Sequence, residues 1–261
     1  MSLSDEYEGF LIDIDGTLWV GGEMVPGAAG ALAELRAAGH PLVFVTNDSR
    51  STAAELAQRL REGGIEADEQ EVLTAGRVTA RAAARNRKAG AAAFVIGAPA
   101  LKEEVRSAGL EVLALEDGGA AGVVVVALHP DFSYAELRAA TRALHSGADL
   151  FATNREPALP MPDGLWPGTG AILAAVEFAG GRSATICGKP ERELFAAALE
   201  RLGTAPRRTA MVGDGLASDI AGAAAAGLGS ILVLSGNATR EQAAGADPAP
   251  DHVLESIAEL T

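Results

Sequence analysis

The chain has 261 residues, of which 48% are hydrophobic, so it is long enough for one large domain or two modest ones with a packed core. This composition excludes an intrinsically disordered chain. The formal net charge of −14 at pH 7 opposes binding to nucleic acid or to an anionic membrane, because both are polyanions. An anionic substrate must therefore be held by local features such as a metal ion, a lysine or backbone amides.

Short apolar runs alternate with alanine- and leucine-rich stretches of helical spacing along the chain. The runs predict strands at residues 10–14, 42–45, 92–96, 112–115, 123–127, 150–152, 184–187, 209–212 and 231–234. The stretches predict helices at residues 27–38, 51–62, 100–107, 134–144, 169–178, 191–202, 217–226 and 252–260, and residues 156–167 predict a proline-rich loop. Because strands that alternate with helices form parallel sheets, we expect an α/β fold.

The single cysteine, Cys187, lies in an apolar run, which predicts a buried strand residue rather than a disulfide or a zinc ligand. Residues 1–9 are acidic and do not match the pattern of a signal peptide. No window reaches the ~18 continuous apolar residues that a membrane span needs. We therefore expect a cytoplasmic protein that binds neither nucleic acid nor membrane.

Polar side chains follow four of the predicted strands, at the point where each strand ends. They are Asp13 and Asp15, Thr46 and Asn47, Lys189, and Asp214. The carboxyl ends of parallel strands share one edge of an open sheet, and ligands bind at that edge. The sequence therefore predicts a single site assembled from four segments.

The carboxylates of this predicted site favour a magnesium ion. Asp13 and Asp15 are two residues apart, so on a strand they point to the same face at a spacing of roughly 6.6 Å. Two such carboxylates repel each other, and a bound cation relieves the repulsion. Asp214 adds a third oxygen ligand, and a small set of oxygen ligands suits magnesium, which keeps several of its waters.

The remaining polar groups favour phosphoryl transfer. A phosphoryl group beside Asp13 would be bound by Thr46, Asn47 and Lys189. Asp13 can then attack phosphorus and form an aspartyl-phosphate that water hydrolyses. Asp15 would protonate the leaving oxygen and afterwards activate that water. Lys189 and magnesium would stabilise the charge on the transferring oxygens, which predicts a phosphatase.

Four motifs occur in order along the chain: Asp-Ile-Asp-Gly-Thr at 13–17, Val-Thr-Asn at 45–47, Gly-Lys-Pro at 188–190 and Gly-Asp-Gly-Leu-Ala-Ser-Asp at 213–219. As an ordered set that covers nearly the whole chain, they resemble the haloacid dehalogenase (HAD) superfamily. The segments 18–21, 25–28 and 167–170 resemble its NagD-like branch, which includes para-nitrophenyl, phosphoglycolate and pyridoxal phosphatases. We interpret Trp19, in the first of these segments, as a packed residue rather than one that stacks on substrate.

This resemblance implies a Rossmann-like parallel-sheet core, formed by residues 1–79 and 183–261, with an inserted α/β cap domain of the C2 type at residues 80–182. It implies a magnesium ion held by Asp13, the backbone carbonyl of Asp15 and Asp214. Asp219 is then a partner of the metal that is reached through water or through another ligand. A homodimer formed through the cap is also typical of the branch.

The resemblance further implies that a cap loop, residues 155–161, selects the substrate through Arg155, Glu156 and Leu159. The chain departs from the branch in three places. Asp48 stands where a second asparagine is frequent, Glu156 stands where aspartate is frequent, and residues 215 and 217 are glycine and alanine where arginine and aspartate are common. None of these departures removes a proposed catalytic group.

Other functions share some of these features. A carbon–halogen hydrolase of the same superfamily needs neither Asp15 nor Asp214, and a receiver domain is about half this length. A phosphotransferase or phosphomutase would share every motif. A non-catalytic regulator that binds a phosphorylated metabolite would not need the acid pair. The sequence favours a magnesium-dependent phosphatase acting on a sugar phosphate, a phosphoglycolate-like acid, a nucleotide or an aryl phosphate, and leaves the choice of substrate open.

Overall fold

The computed structural model describes residues 3–161 and 163–261 of the chain. Residues 1 and 2 of the predicted acidic terminus and residue 162 of the predicted proline-rich loop lie outside the described residues. Contacts group the chain into two compact units. The first runs up to Thr46 and includes Ala53–Leu73 and Lys189–Thr261, and the second comprises Asn47–Thr52 and Thr74–Gly188. The division into a core and a cap at residues 80 and 182 stays a prediction.

The strands and helices alternate along the chain. The strands are β1 (Gly9–Asp13), β2 (Trp19–Val20), β3 (Glu23–Met24), β4 (Leu42–Thr46), β5 (Val72–Thr74), β6 (Ala92–Ile96), β7 (Glu111–Val112), β8 (Val123–Val126), β9 (Asp149–Ala152), β10 (Ala158–Met161), β11 (Gly164–Pro167), β12 (Thr185–Ile186), β13 (Thr209–Gly213), β14 (Gly229–Val233) and β15 (His252–Leu254). The helices are α1 (Ala28–Ala37), α2 (Ala53–Glu62), α3 (Ala75–Ala84), α4 (Pro99–Ser107), α5 (Tyr134–His145), α6 (Thr169–Gly180), α7 (Arg192–Leu202), α8 (Ala221–Ala226) and α9 (Arg240–Ala244).

The first unit contains a six-stranded sheet in the order β15-β14-β13-β1-β4-β5. Strand β1 lies between β13 and β4 and is parallel to both, with Ile12 opposite Val212 and Asp13 opposite Val45. Every residue of β1, β4 and β13 is buried. Strands that are covered on both faces need such continuous apolar runs. Leucines of α1 and α2 pack on one face, against Phe10 and its neighbours.

The second unit contains a five-stranded sheet in the order β12-β9-β8-β6-β7, and all of its strand pairs are parallel. Helices α5 and α6 pack against alternate residues of β8, including Val124 and Val126, while α3 and α4 pack against the intervening Val123 and Val125. Helix α5 begins with a capping box, in which Ser133 Oγ accepts from the Glu136 amide at 3.2 Å. The predicted α/β fold with parallel sheets is confirmed.

Several predicted elements differ from the structure. The helix predicted at 252–260 is wrong, because residues 252–254 form β15, which pairs with β14, and only a short 3-10 turn follows. The loop predicted at 156–167 contains the antiparallel hairpin β10–β11. The strand predicted at 112–115 is only the short β7, and α3, β5 and the β2–β3 hairpin were not predicted. Pairing with a distant strand decides the state of such short segments, and local periodicity does not report it.

Within residues 3–161 and 163–261, no helix has the length and apolar character required to span a bilayer. Cys187 is buried, as its apolar run predicts.

Candidate active site

Buried polar groups meet at the carboxyl edge of the six-stranded sheet. Asp13 is the last residue of β1, and Asp214 directly follows β13. Asp219 lies in a π-helical segment, Leu216–Ile220, that leads into α8. One carboxylate oxygen from each of the three aspartates lies within 4.8 Å of the others, and all three side chains are buried. The prediction that strand ends bring Asp13 and Asp214 together agrees with this geometry.

Lys189 is the counter-charge of this cluster. Its Nζ donates to Asp13 Oδ1 and, at 2.6 Å, to Asp219 Oδ1. The lysine side chain is 3% exposed, so both ion pairs are shielded from solvent. Asp219 Oδ2 also accepts from the backbone N–H of Gly215 at 2.9 Å. Lys189 therefore ties the end of β1 to the segment after β13.

Asp214 is held in a fixed orientation by a separate set of contacts. Its Oδ2 accepts from the backbone N–H and from the side-chain amide of Asn237, both at 2.7 Å. Gly16, at φ +84°, and Gly236 both approach the same carboxylate so closely that a Cβ at either position would collide with it. The chain therefore needs glycine at both positions to bring its backbone against Asp214.

The Asp15 carboxylate lies outside the three-aspartate cluster and has other partners. Trp19 Nε1 donates to its Oδ1 at 2.9 Å, and Thr46 Oγ1 donates to its Oδ2 at 3.3 Å. Asp15 is exposed, whereas Asp13 is buried. The two members of the acid pair therefore have different environments, as the two different roles predicted for them require.

The buried charges shift one another's pKa values. Burial raises the pKa of Asp13 well above its ordinary value, and the charge of Lys189 opposes this shift. Burial also raises the pKa of Asp214, to about 6, with a further contribution from the charge of Asp219. Burial alone would lower the pKa of Lys189, but the charges of Asp13 and Asp219 outweigh it and the net pKa is raised. Lys189 is therefore always an ammonium at physiological pH.

We expect Lys189→Met to destabilise the metal-free protein by about 3–5 kcal/mol, because it leaves Asp13 and Asp219 buried without their cation. Urea unfolding in the presence of a chelator measures this loss. Arg208→Met is the matched control, since Arg208 pairs with Glu8 at 3.0 Å while both side chains are 53% exposed. The control should change stability by less than ~0.5 kcal/mol. Equal effects of the two variants would contradict the structural role of Lys189.

The residues present fit a divalent cation. Three buried carboxylates outnumber the single ammonium of Lys189. Burial, with a smaller contribution from the neighbouring aspartates, raises the pKa values of Asp13 and Asp214, and a bound cation would favour their ionised forms. All candidate ligand atoms in the cluster are oxygens, which hard cations such as magnesium prefer. Asp219 belongs to this cluster, whereas the resemblance implied an indirect partner of the metal, and its two oxygens already accept from Lys189 and from the Gly215 N–H.

The other predicted site residues lie in the second unit. Asn47 Nδ2 donates to Glu156 Oε1 at 3.0 Å. Arg155 forms a two-pronged ion pair with Glu177, at 2.8 and 2.6 Å, so its guanidinium is engaged by a carboxylate. Leu159 lies in β10 and pairs with Trp166 of β11. Residues 158–161 of the predicted cap loop therefore form one strand of a hairpin, and residues 155–157 precede it.

Asp48, one of the departures from the branch pattern, forms a local ion pair. Its carboxylate accepts from the guanidinium of Arg50 at 2.9 and 2.8 Å and from the Arg50 backbone N–H at 2.9 Å. The guanidinium of Arg50 therefore compensates the negative charge of Asp48 within the same loop.

Sequence reasoning missed Asn237, which binds Asp214. The signal was present, because Ser235, Gly236 and Asn237 follow the apolar run of β14 just as Asp214 follows that of β13. Ser235 contributes too, since its Oγ donates to the Gly16 carbonyl at 2.7 Å. Trp19 was correctly predicted to be packed, being 3% exposed, but its hydrogen bond to Asp15 was not foreseen.

Comparisons with known proteins agree with this geometry. A family model described as haloacid dehalogenase-like hydrolase matches residues 10–111, and a second, described as HAD-hydrolase-like, matches residues 186–260. The two matches include all four motifs. Human chronophin is 39% identical over 272 residues, which cover 97% of this chain and 92% of that protein.

Solved structures extend the similarity to the whole chain. A glycerol phosphate phosphatase from Mycobacterium tuberculosis, solved in complex with magnesium, is 34% identical with a TM-score of 0.90, and the match covers 100% of this chain and 78% of that one. NagD from Escherichia coli K-12 is 30% identical with a TM-score of 0.87, and the match covers 98% of both chains. The chain therefore belongs to the haloacid dehalogenase-like hydrolases, in their NagD-like phosphatase branch.

Proposed function

We propose that this magnesium-dependent phosphatase hydrolyses the phosphomonoesters of small metabolites with Asp13 as its nucleophile. One observation carries the proposal: Asp13, Lys189, Asp214 and Asp219, from three separate segments, form one buried cluster at the carboxyl edge of the sheet. Burying three carboxylates beside one lysine is costly for stability alone, so the arrangement points to chemistry.

Asp13 forms the covalent intermediate. Its carboxylate oxygen attacks phosphorus, the ester P–O bond breaks, and the phosphoryl group is transferred to Asp13 as an acyl phosphate. Lys189 favours the ionised form of Asp13 that attack requires, because its charge and hydrogen bond oppose the rise in pKa that burial causes. The same ammonium lies where charge on the phosphoryl oxygens develops.

Asp15 acts as the general acid and then as the general base. As an acid it protonates the leaving oxygen while the ester bond breaks, and as a base it then takes a proton from the water that attacks the acyl phosphate. Its exposed carboxylate is accessible to both the leaving group and solvent water. This division of labour between Asp13 and Asp15 follows their different burial.

Magnesium would be held by the carboxylates of Asp13 and Asp214 and by the backbone carbonyl of Asp15. When bound, it neutralises negative charge on the transferring phosphoryl group. Asn237 fixes Asp214 for this role by binding one of its two oxygens. Asp219 contributes by holding Lys189 in place.

Magnesium binding should weaken as the pH falls below about 6, because the pKa of Asp214 is raised to about 6. Below that pH the metal-free folded protein holds a proton on Asp214 that the cation must displace, whereas the unfolded chain keeps this group ionised down to about pH 4. The proton therefore stabilises the metal-free fold at low pH, and this contribution is lost as the pH rises through about 6.

Calorimetric magnesium titrations at about pH 5 and about pH 7 check this prediction. The affinity should fall by up to about tenfold per pH unit below 6, with proton release measured from the dependence on buffer ionisation. An affinity that stays constant across this range would contradict a role of Asp214 in binding the ion.

Thr46, Asn47 and Lys189 are proposed to bind the substrate phosphate. Thr46 Oγ1 and Asn47 Nδ2 are donors, as a phosphate site requires, and they donate to Asp15 and Glu156 respectively. Arg155, Glu156 and Leu159 of the cap loop are proposed to select the rest of the substrate. They combine two charged residues with an apolar one, which suits a small phosphorylated acid, a sugar phosphate, a nucleotide or an aryl phosphate.

We place the nucleophile and metal ligands in a core domain and the selecting residues in an inserted cap, as the motif order supports. The single cysteine and the acidic net charge of −14 support a cytoplasmic location and a small-molecule partner rather than nucleic acid or membrane. Similarity to the branch supports a homodimer formed through the cap.

A phosphate-release screen tests the proposal. The purified protein would be assayed with magnesium on phosphoglycolate, sugar phosphates, glycerol phosphate, nucleoside monophosphates, pyridoxal phosphate and para-nitrophenyl phosphate. We expect release from at least one metabolite, loss of release with a chelator and recovery when magnesium is restored. Absence of release from every compound, or release that a chelator leaves unchanged, would overturn it.

A further inference from the structure

Two donors from different elements hold the Asp15 carboxylate. The Trp19 indole N–H binds Oδ1 at 2.9 Å, and the Thr46 hydroxyl binds Oδ2 at 3.3 Å. An exposed aspartate with neither bond would sample several rotamers. With one donor on each oxygen, the plane of the carboxylate is fixed. Thr46 is already assigned to phosphate binding, so Trp19 is the donor with no role in the proposed chemistry.

Trp19 is itself firmly placed. It lies in β2 of a two-stranded hairpin, opposite Met24 of β3, and its carbonyl accepts from the Gly16 N–H at 2.8 Å. The guanidinium of Arg59, from α2, lies over the indole ring at 4.0 Å from the centroid. A cation over the ring face is attractive and covers the ring from solvent.

The hydrogen bond from Trp19 has a specific chemical requirement. An indole N–H is a donor only, and a buried donor without a partner costs free energy, so the ring needs an acceptor at this position. Asp15 is that acceptor, four residues before Trp19. A phenylalanine would keep an aromatic ring against the core, although a smaller one, but would release Oδ1. The indole N–H therefore gives Asp15 a hydrogen bond that an apolar ring cannot supply.

We infer that Trp19 is a positioning residue that orients the Asp15 carboxylate toward the leaving oxygen, and that Arg59 holds the indole ring in place for this purpose. The inference rests on the proposed function, in which Asp15 donates the proton. A proton donor must lie within hydrogen-bond reach of the leaving oxygen, and a misplacement of about 1 Å can cost up to about 100-fold in rate.

The test compares two leaving groups in the magnesium-loaded enzyme. An alkoxide, as from glycerol phosphate, needs protonation to leave, whereas para-nitrophenolate leaves readily without it. We expect Trp19→Phe to lower kcat/KM for the alkyl phosphate by about tenfold or more and for para-nitrophenyl phosphate by less than about threefold. In an Asp15→Asn background, Trp19→Phe should cause no further loss, because the two residues act as one unit.

The outcomes separate this inference from the proposed function. Equal losses of kcat/KM on both substrates, or the same loss again in the Asp15→Asn background, would show that Trp19 acts through packing. Either result would overturn the inference and leave the proposed function intact. An Asp15→Asn variant whose loss does not depend on the leaving group would overturn the assignment of Asp15 as proton donor, and the inference with it.

A spectroscopic measurement tests the contact without using activity. The chain has two tryptophans, so Trp166→Phe leaves Trp19 as the single indole fluorophore. In that background Asp15→Ala should shift the emission of Trp19, because the indole N–H loses its carboxylate acceptor. Asp117→Ala, at an exposed carboxylate in the second unit, is the control and should leave the emission unchanged. Unchanged emission in Asp15→Ala would overturn the inference even if Trp19→Phe failed to fold.

Discussion

Asp13→Asn is expected to lower turnover by roughly 10⁴-fold or more while the protein stays folded, because it removes the only atom that accepts the phosphoryl group. Asparagine has nearly the same shape as aspartate, and it removes a buried negative charge from a cluster that holds an excess of them. Lys189 keeps Asp219 as its partner at 2.6 Å in the variant. The loss should therefore be in chemistry rather than in folding.

Phosphate release from para-nitrophenyl phosphate, circular dichroism and thermal unfolding check this prediction together. Acid quenching of the wild-type enzyme with radiolabelled substrate should trap label on the protein, and the variant should trap none. Asp117→Asn, at an exposed carboxylate, should retain wild-type turnover. Near-wild-type activity in Asp13→Asn would show that another group is the nucleophile.

Asp15→Asn is expected to slow steady-state turnover by about 10²–10⁴-fold, the usual range for loss of a general acid and base. The two half-reactions should respond differently with para-nitrophenyl phosphate. Its leaving group departs without a proton, so Asp13 should still be phosphorylated, but the water that hydrolyses the acyl phosphate loses its base. The variant should therefore release one equivalent of para-nitrophenolate quickly and then stall.

Rapid mixing with para-nitrophenyl phosphate measures this burst directly. Its amplitude should match the enzyme concentration, and quenched samples should contain phosphorylated protein. Asp131→Asn, at another exposed carboxylate, should turn over without stalling. A variant that slows without a burst would place the role of Asp15 entirely in the first step, and unaffected turnover would remove Asp15 from the mechanism.

The position of the site followed from the sequence because backbone geometry determines it. Parallel strands deliver the residues after their carboxyl ends to one edge, so the placement of Asp13 and Asp214 after apolar runs was sufficient. The expected strands at 92–96 and 209–212 correspond closely to β6 and β13, since largely apolar runs suit strands that are buried on both faces.

The details of the site depended on side-chain contacts that periodicity does not encode. Asn237 is 23 residues from Asp214 in sequence, and its two hydrogen bonds depend on how β14 pairs with β13. Asp219 joined the cluster because a π-helical turn projects it toward Lys189. The hairpin β10–β11 was hidden by its prolines, which argue against a central strand but are tolerated in a two-stranded ribbon with open edges.

The central place of β1 in the six-stranded sheet also constrains how the chain folds during synthesis. Strand β1 emerges first, yet one of its two partners, β13, ends only at Gly213. Until then one edge of a largely apolar strand has no permanent hydrogen-bond partner, and such edges pair readily with other chains. A chain truncated before β13 would expose this edge. It would contain Asp13 and Lys189, which are 176 residues apart, but it would lack Asp214 and Asp219, so the charge cluster would be incomplete.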